Sequence, residues 1–262
     1  MTDPAVRAAL DAGDVFLALD LQRAAGAGPT PEGRLLLAEL YAVVGDTAAA
    51  RIELGRIESA APDWPASRRR FARILAAADR RATLRRARFT HPEPGHLRAR
   101  WRAAKLVRGG DLEMAARWVD RADRASPELA GHVDGREFAG LRDCDDVTGS
   151  GLELLAGGRY LWAAWGQLRR VRLRPAVGVL DAVFRPADIT FHDGRTVAVT
   201  LPLVYAGPAG TDGEFVLGLD TDFAGGDGGP VRGVGGRLLM IGDDEVRLAD
   251  IRQIDLSQPR GP

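Results

Sequence analysis

The sequence predicts an α+β protein in which tetratricopeptide-like helical hairpins are followed by a mostly antiparallel β-rich module. Up to His132 the chain is rich in Ala, Leu and Arg, with apolar residues at helical spacing. Beyond that point it is rich in Gly and Val, and short runs alternate with the period of a strand. The change predicts a helical domain at 1–133 and a β-rich domain at 134–262.

Three Gly-Asp pairs divide the first half into helical hairpins. Gly13-Asp14 lies 32 residues before Gly45-Asp46, and Gly110-Asp111 lies 65 residues beyond that second pair. The glycine allows a tight turn, and a short side chain such as Asp46 or Thr47 caps the next helix. A period near 33 residues is typical of tetratricopeptide-type hairpins, which stack and leave a concave surface.

Residues 66–88 depart from the repeat and predict one longer, Arg-rich helix. Arg69, Arg73 and Arg80, with Arg88 as a fourth member, lie near one face of such a helix. This stripe suits an acidic partner, or it is a solvated face balanced by acids of the second half. Interleaved aromatic residues are few, so we rank nucleic acid last among partners.

Charge and hydropathy exclude several classes of protein. The chain has 36 basic and 36 acidic residues, so it has no net positive charge that would attract nucleic acid or an anionic membrane. Residues 1–133 carry 22 basic and 17 acidic side chains, so the halves have opposite net charge. No apolar run approaches the roughly 20 residues that span a bilayer, and residues 1–5 lack a signal-peptide pattern. We therefore expect a soluble, cytoplasmic protein without membrane insertion.

The second half predicts short strands joined by tight turns. Asp193-Gly194 between two β-branched runs is a strong hairpin signal, because this dipeptide accepts the positive φ angles of a tight turn. One helix is expected at Pro175–Phe184. The predicted strands are 168–173, 189–191, 196–201, 216–219, 237–241 and 245–248.

One acidic cluster and one pair of histidines are candidate metal sites. The acidic segment Asp143–Asp146 allows a divalent cation or a solvated turn, and Glu153 comes too early to complete a calcium loop. We favour the turn. His91 and His96 have only Glu93 as a further ligand nearby, whereas structural zinc needs four ligands. No metal site is predicted.

Motifs of enzymes are incomplete in this chain. Ser150 is not in a nucleophile elbow, and Cys144 has acidic neighbours in place of a histidine. The Gly-rich segments 225–229 and 233–236 lack the Lys-Ser/Thr of a phosphate loop and the helix of a dinucleotide fingerprint, which predicts simple loops. We predict no catalytic residue and no cofactor, and expect that the protein is not an enzyme.

A series of short motifs runs through residues 134–254. They are Gly135-Arg136-Glu137-Phe138, Asp143-Cys144-Asp145-Asp146, Gly151-Leu152-Glu153, Gly158-Arg159-Tyr160-Leu161-Trp162, Leu180-Asp181-Ala182-Val183-Phe184 with Pro186-Ala187, Pro202-Leu203-Val204-Tyr205, Thr221-Asp222-Phe223 and Gly235-Gly236-Arg237. In this order they resemble the ImpE/SciE family, also called TagJ, of type VI secretion system accessory proteins. The helical first half with its Gly-Asp turns resembles that family too.

The resemblance implies an interaction protein without chemistry of its own. Family members bind the N-terminal helix of the small sheath subunit and the ClpV-type AAA+ ATPase. This chain has Phe184 and Phe223 where the family usually has Trp, and Val204 where it has Arg, which indicates a divergent member. The residues implied as scaffold are Tyr160, Trp162, Asp181, Pro202, Tyr205, Gly236 and Arg237.

The resemblance and the predicted hairpins together suggest a partner site in the helical half. Arg69, Arg73 and Arg80 would form the positive rim of a groove for the sheath helix. Trp101 and Trp118 are either anchors for that helix or core residues that pack on each other. Two alternatives stay open. In the first, the helical repeats bind a different protein partner. In the second, the Gly-rich second half binds a small ligand or an enzymatic substrate.

Overall fold

The computed structural model describes residues 3–25, 30–84, 88–90, 92–207 and 212–259. Within these ranges, seven α-helices precede residue 130, with one short strand among them, and two short helices lie among the strands that follow. The helices are α1 (Pro4–Asp11), α2 (Val15–Ala24), α3 (Pro31–Val43), α4 (Thr47–Gly55), α5 (Trp64–Thr83), α6 (Gly95–Gly109), α7 (Leu112–Arg124), α8 (Leu180–Val183) and α9 (Gly213–Leu217).

The three Gly-Asp turns have the predicted geometry. Gly13, Gly45 and Gly110 have φ angles of 78°, 87° and 85°, which L-residues with a Cβ rarely adopt. Each following aspartate accepts a hydrogen bond from a backbone N–H in the first turn of the next helix. The hairpins α1–α2, α3–α4 and α6–α7 follow from these turns.

The Arg-rich helix is shorter than predicted. α5 ends at Thr83, and Leu84 closes it in the left-handed region with a φ of 47°. Arg88–Phe89 form strand β1, which pairs in parallel with a strand of the main sheet. The chain leaves the helix to add this short edge strand, so Arg88 does not continue the arginine stripe. Arg85, Arg86 and His91 lie outside the described residues.

The second half is built on antiparallel pairs, as predicted. In the described residues nine strands form one sheet, in the order β1-β6-β5-β9-β8-β7-β14-β2-β3. A three-stranded sheet (β13-β12-β4) and a hairpin (β10-β11) complete the module. The strands are β2 (Ala130–Val133), β3 (Arg136–Ala139), β4 (Leu141–Asp143), β5 (Gly151–Ala156), β6 (Arg159–Ala164), β7 (Leu168–Leu173), β8 (Phe184–Phe191), β9 (Thr196–Pro202), β10 (Thr221–Ala224), β11 (Arg232–Gly235), β12 (Leu238–Ile241), β13 (Asp244–Arg247) and β14 (Gln253–Leu256).

Three predictions for this half were wrong in detail. The apolar run 216–219 lies in helix α9 and its exit turn, where Gly218 has a φ of 70°. The helix expected at Pro175–Phe184 is reduced to α8, and Phe184 begins β8. Of the Gly-rich segments, 225–229 is a loop but Arg232–Gly235 is a strand. Short apolar runs do not distinguish a strand from a buried helix by periodicity alone.

The helical half and the sheet share one apolar core. α5 packs on β5 and β6, α6 packs on β6, and α2 and α3 contact α9 and α8. One buried cluster therefore contains side chains such as Leu75 and Leu97 from helices together with Leu155 from a strand. A second cluster lies within the β-rich half. No described helix has the length and apolar character to cross a membrane.

Candidate partner-binding surface

The predicted arginine stripe lies on the exposed face of α5. Arg69, Arg73 and Arg80 are all exposed. Arg80 donates a hydrogen bond to the carbonyl of Gly158, in the turn between β5 and β6. Arg73 lies against the same glycine. The structure thus brings two members of the stripe to one turn of the main sheet.

A cleft of about 220 Å³ lies beside this stripe, between α5 and the strands β5, β8 and β9. Arg73 and Arg70 line it from the helix, and Arg174 lines it from the segment after β7. Sequence analysis did not assign Arg70 or Arg174 to the site. Arg174 is about a hundred residues from α5 in the chain, and only the folded sheet brings it there.

Trp101 lies in the core. The residue is 8% exposed, and its ring packs on Phe89, Tyr160 and Trp162, with ring centroids 6.3, 6.3 and 5.8 Å away. These are the aromatic rings that contact it among the described residues, and Trp118 is not one of them. The expected packing of the two tryptophans on each other is therefore replaced by packing across the junction of the two halves.

Trp118 is partly exposed on α7. The guanidinium carbons of Arg102 and Arg121 lie 4.6 and 5.2 Å from the centroid of its ring. Met114, one turn earlier on the same face, is 40% exposed. An aromatic ring, a methionine and two guanidinium groups thus share one surface, which we call the Trp118 face. Its composition is typical of interface cores.

A buried network of charged side chains joins α5 to the sheet. Arg81 donates to Glu153 from Nε and Nη2, at 3.0 and 2.7 Å. Arg237 donates to the same carboxylate and to Asp143, at 2.5 Å for the latter. Burial acts to raise the pKa of Glu153, but Arg81 and Arg237 outweigh it and lower that pKa to about 2. Glu153 is therefore a carboxylate shared by two buried arginines.

Three aromatic side chains complete this network. The Tyr160 hydroxyl donates to Glu153 and accepts from the Trp162 indole N–H at 2.6 Å. The Tyr205 hydroxyl donates to Asp143 at 2.9 Å. Each polar group on these rings is satisfied inside the protein, which is the usual condition for burying Tyr and Trp.

The acidic segment is engaged by backbone and arginine donors. Asp145 accepts from the amides of Val147 and Thr148, and from Arg232 at 2.7 Å. Burial, followed by the charge of Asp143, raises the pKa of the Cys144 thiol to about 11. No group of three or more metal-binding side chains occurs among the residues that the structure describes.

The family model described as ImpE protein matches residues 135–255. This region is similar to the ImpE family. The type VI secretion system accessory component TagJ of Pseudomonas aeruginosa is 31% identical over 154 residues, which are 58% of this chain and 53% of that protein. The alignment thus spans about half the length of this curated relative. The family resemblance drawn from the motifs is confirmed.

The fold has a relative of known structure. Protein VPA1032 from Vibrio parahaemolyticus, solved by X-ray crystallography, superposes with a TM-score of 0.86 over 96% of this chain and 97% of that one, at 19% identity. At this identity the similarity concerns the fold alone. It confirms the α+β architecture, with helices before an antiparallel sheet.

The ImpE motifs coincide with the buried network and its surroundings. Asp143, Glu153, Tyr160, Trp162, Tyr205 and Arg237 all belong to the network. Gly236 allows a close approach, since a Cβ there would lie 2.6 Å from the carbonyl oxygen of Gly218. Pro202 is buried at the end of β9, where it pairs with Phe184. Asp181 is buried too and accepts from Arg70 at 3.3 Å.

Proposed function

We propose that the protein is a non-enzymatic accessory component of a type VI secretion system, acting in the cytoplasm as an adaptor. The observation that carries this proposal is the match of residues 135–255 to the ImpE family, with TagJ as a relative. Its partners are proposed to be the small sheath subunit, through that subunit's N-terminal helix, and the ClpV-type AAA+ ATPase.

The chemistry of the motif residues supports a scaffold role for the ImpE region. Two of the carboxylates that suggested a cation site, Asp143 and Asp145, are bound by a buried and a half-buried arginine, and the thiol beside them has a raised pKa. The glycines of β11 serve packing, since a Cβ on Gly233 would lie 2.1 Å from the Tyr205 ring. These contacts favour the adaptor over the alternative of a ligand site built on the Gly-rich segments.

The Trp118 face is the proposed docking surface for the sheath helix. Tryptophan and arginine are enriched among the residues that contribute most binding energy, methionine is enriched at interfaces, and an amphipathic helix presents complementary apolar rows. Faces of the hairpins α1–α2 and α3–α4 are partly covered by α9 and α8. Arg69, Arg73 and Arg80 are proposed as a positive surface that speeds encounter with an acidic partner.

Calorimetric titration of the full-length chain with the sheath subunit's N-terminal helix tests this proposal. Trp118→Ala is expected to weaken binding by about 2 kcal/mol or more, because it removes the central ring and leaves two arginines without it. Ile52→Ala, which truncates a 55% exposed side chain on α4, is the matched control and should bind normally. Absence of heat with the folded chain, together with no capture of ClpV, would contradict both partners.

A further inference from the structure

Part of strand β9, which lines the cleft beside α5, has a neighbouring strand on one side only. β9 pairs with β8 from Thr196 to Pro202, but its pairing with β5 is confined to Leu155 and Thr200. β5 ends at Ala156, where the chain turns back into β6. Among the described residues, 196–199 therefore have a paired strand on one side only, and Ala198 and Val199 of this stretch line the cleft.

This edge lacks the usual protection against pairing. Natural edge strands carry charged residues, proline or bulges that discourage a further strand. Here the sequence is Thr196-Val197-Ala198-Val199, and Val197 is 38% exposed. The adjacent Arg195 is bound by Asp193 at 2.7 Å within its own turn. Such an edge accepts an extended peptide through backbone hydrogen bonds.

The cleft itself is cationic above an apolar floor. Arg70, Arg73 and Arg174 line it, and Ile74 and Leu155 contribute to its floor. The acids that form salt bridges with these cations are Asp181, 3.3 Å from Arg70, and Asp188, 2.6 Å from Arg174. Glu39, beside Asp181, also interacts with the charge of Arg70. In the part of the chain that the structure describes, no carboxylate forms a salt bridge with Arg73. Arg73 thus supplies a positive charge to the cleft that no described salt bridge neutralises, and Arg69 and Arg80 add further positive charge on the same helix.

We propose that this cleft docks an extended acidic segment of a partner protein, which adds as a strand to the open edge of β9 and places a carboxylate against Arg73. The charge selects this occupant. A second copy of the chain, paired edge to edge, would bring two arginine clefts together. A helix would leave the backbone edge of β9 unused. The inference does not depend on the secretion-system role, and its site is separate from the Trp118 face.

Fluorescence anisotropy of a labelled peptide with the full-length protein tests the proposal. The probe is a short capped peptide that alternates Glu and Val. One comparison peptide has Lys in place of Glu, and another has alternate backbone amides methylated on the face that would pair with β9. We expect only the unmodified acidic peptide to bind, with an affinity that falls as salt is added, because both the charge and the backbone hydrogen bonds are required.

Variants of the protein locate the site. Arg73→Glu should weaken the acidic peptide about tenfold or more, and Arg73→Gln by less, since reversal adds repulsion to the lost attraction. Arg68→Glu makes the same charge change on an exposed position of α5 outside the cleft and should have little effect. Thermal unfolding of each variant verifies that it is folded.

Several outcomes would overturn the proposal. If the Lys peptide binds equally well, recognition does not depend on acidic charge. If the methylated peptide binds equally well, the peptide does not add as a strand to β9. A single-stranded oligonucleotide that binds as tightly, with the same loss in Arg73→Glu, would indicate a general anion patch. A dimer in solution that Val197→Lys dissociates would assign the edge to a second copy. Trp118→Ala should leave peptide binding unchanged, so failure here and failure of the sheath proposal are distinguishable.

Discussion

At the scale of single residues, Glu39 gives the fold a pH dependence. Its carboxyl lies between α3 and the segment before α8, where burial and then the charge of Asp181 raise its pKa to about 7 from 4.5. The folded state therefore holds this proton more tightly than the unfolded chain does. The stability that protonated Glu39 contributes is complete below pH 4.5 and is lost as the pH rises through about 7.

Glu39→Gln should remove this dependence, because the amide resembles the protonated acid at every pH. We expect the variant to exceed the parent in free energy of unfolding by about 2 kcal/mol at pH 8, allowing for partial solvent exposure, and to match it at acidic pH. Urea unfolding across that range measures the difference between the two proteins. Glu58→Gln, on the exposed segment after α4, is the control. A constant difference at all pH values would contradict the raised pKa.

The contribution of Glu153 to stability has the opposite pH dependence. Its pKa is lowered to about 2, so its contribution to stability is present above pH 4.5 and is lost as the pH falls towards 2. Glu153→Gln leaves Arg81 and Arg237 buried without their shared carboxylate, and we expect a loss of about 3–5 kcal/mol at pH 7 that shrinks in acid. Glu113→Gln removes an exposed ion pair with Arg117 and should cost less than about 1 kcal/mol. Similar losses in the two variants would mean that the buried network contributes little.

The buried network shows which features of the site can be predicted from the sequence and which cannot. The motifs around Glu153, Tyr160 and Arg237 were recognised one by one, yet their common network was not predicted. Arg81 lies within the predicted Arg-rich helix 66–88, but in the structure it is buried against Glu153. Helical periodicity indicates which residues share a face, but not which basic side chain meets a buried carboxylate 72 positions later.

At the scale of elements, the turns between paired helices depend on one glycine conformation. Gly110 has a φ of 85°, whereas its neighbour Gly109 ends α6 without a positive φ and has open space around it. Gly110→Ala should therefore lower the free energy of unfolding by about 1 kcal/mol, and Gly109→Ala should raise it by up to about 1 kcal/mol. Thermal and urea unfolding of the pair measure both effects. Equal changes would show that the αL conformation does not control this turn.

Elements with local signals were predicted well, and those fixed by distant partners were not. The Gly-Asp turns and the Asp193-Gly194 hairpin depend on neighbouring residues, and each forms where expected. The end of α5 and the strand β1 depend instead on pairing with β6, more than seventy residues away. Strands β5 and β6 were known only as motif residues, because they are buried along most of their length and do not alternate.

At the scale of the whole molecule, the division into domains 1–133 and 134–262 stays a prediction, and the shared core determines how to test it. α5 and α6 bury their apolar faces on β5 and β6, and Trp101 packs on Tyr160 and Trp162. Strand β2 lies before the boundary but pairs with β14 near the end of the chain. Separation at residue 133 would expose these surfaces to water.

We therefore expect the full chain to unfold in one transition, with the same midpoint by far-ultraviolet circular dichroism and by tryptophan fluorescence. The circular dichroism signal follows mainly the helices, whereas the fluorescence signal includes Trp162 in β6 and Trp165 directly after it. A fragment of residues 1–133 should bind a hydrophobic dye and show no cooperative transition, because the apolar faces of α5 and α6 lack the strands that cover them. Mixing it with residues 134–262 should suppress dye binding, whereas an equal amount of a folded helical protein should not. A fragment that unfolds cooperatively on its own, at the midpoint of the full chain, would instead show that the helical half is an independent domain.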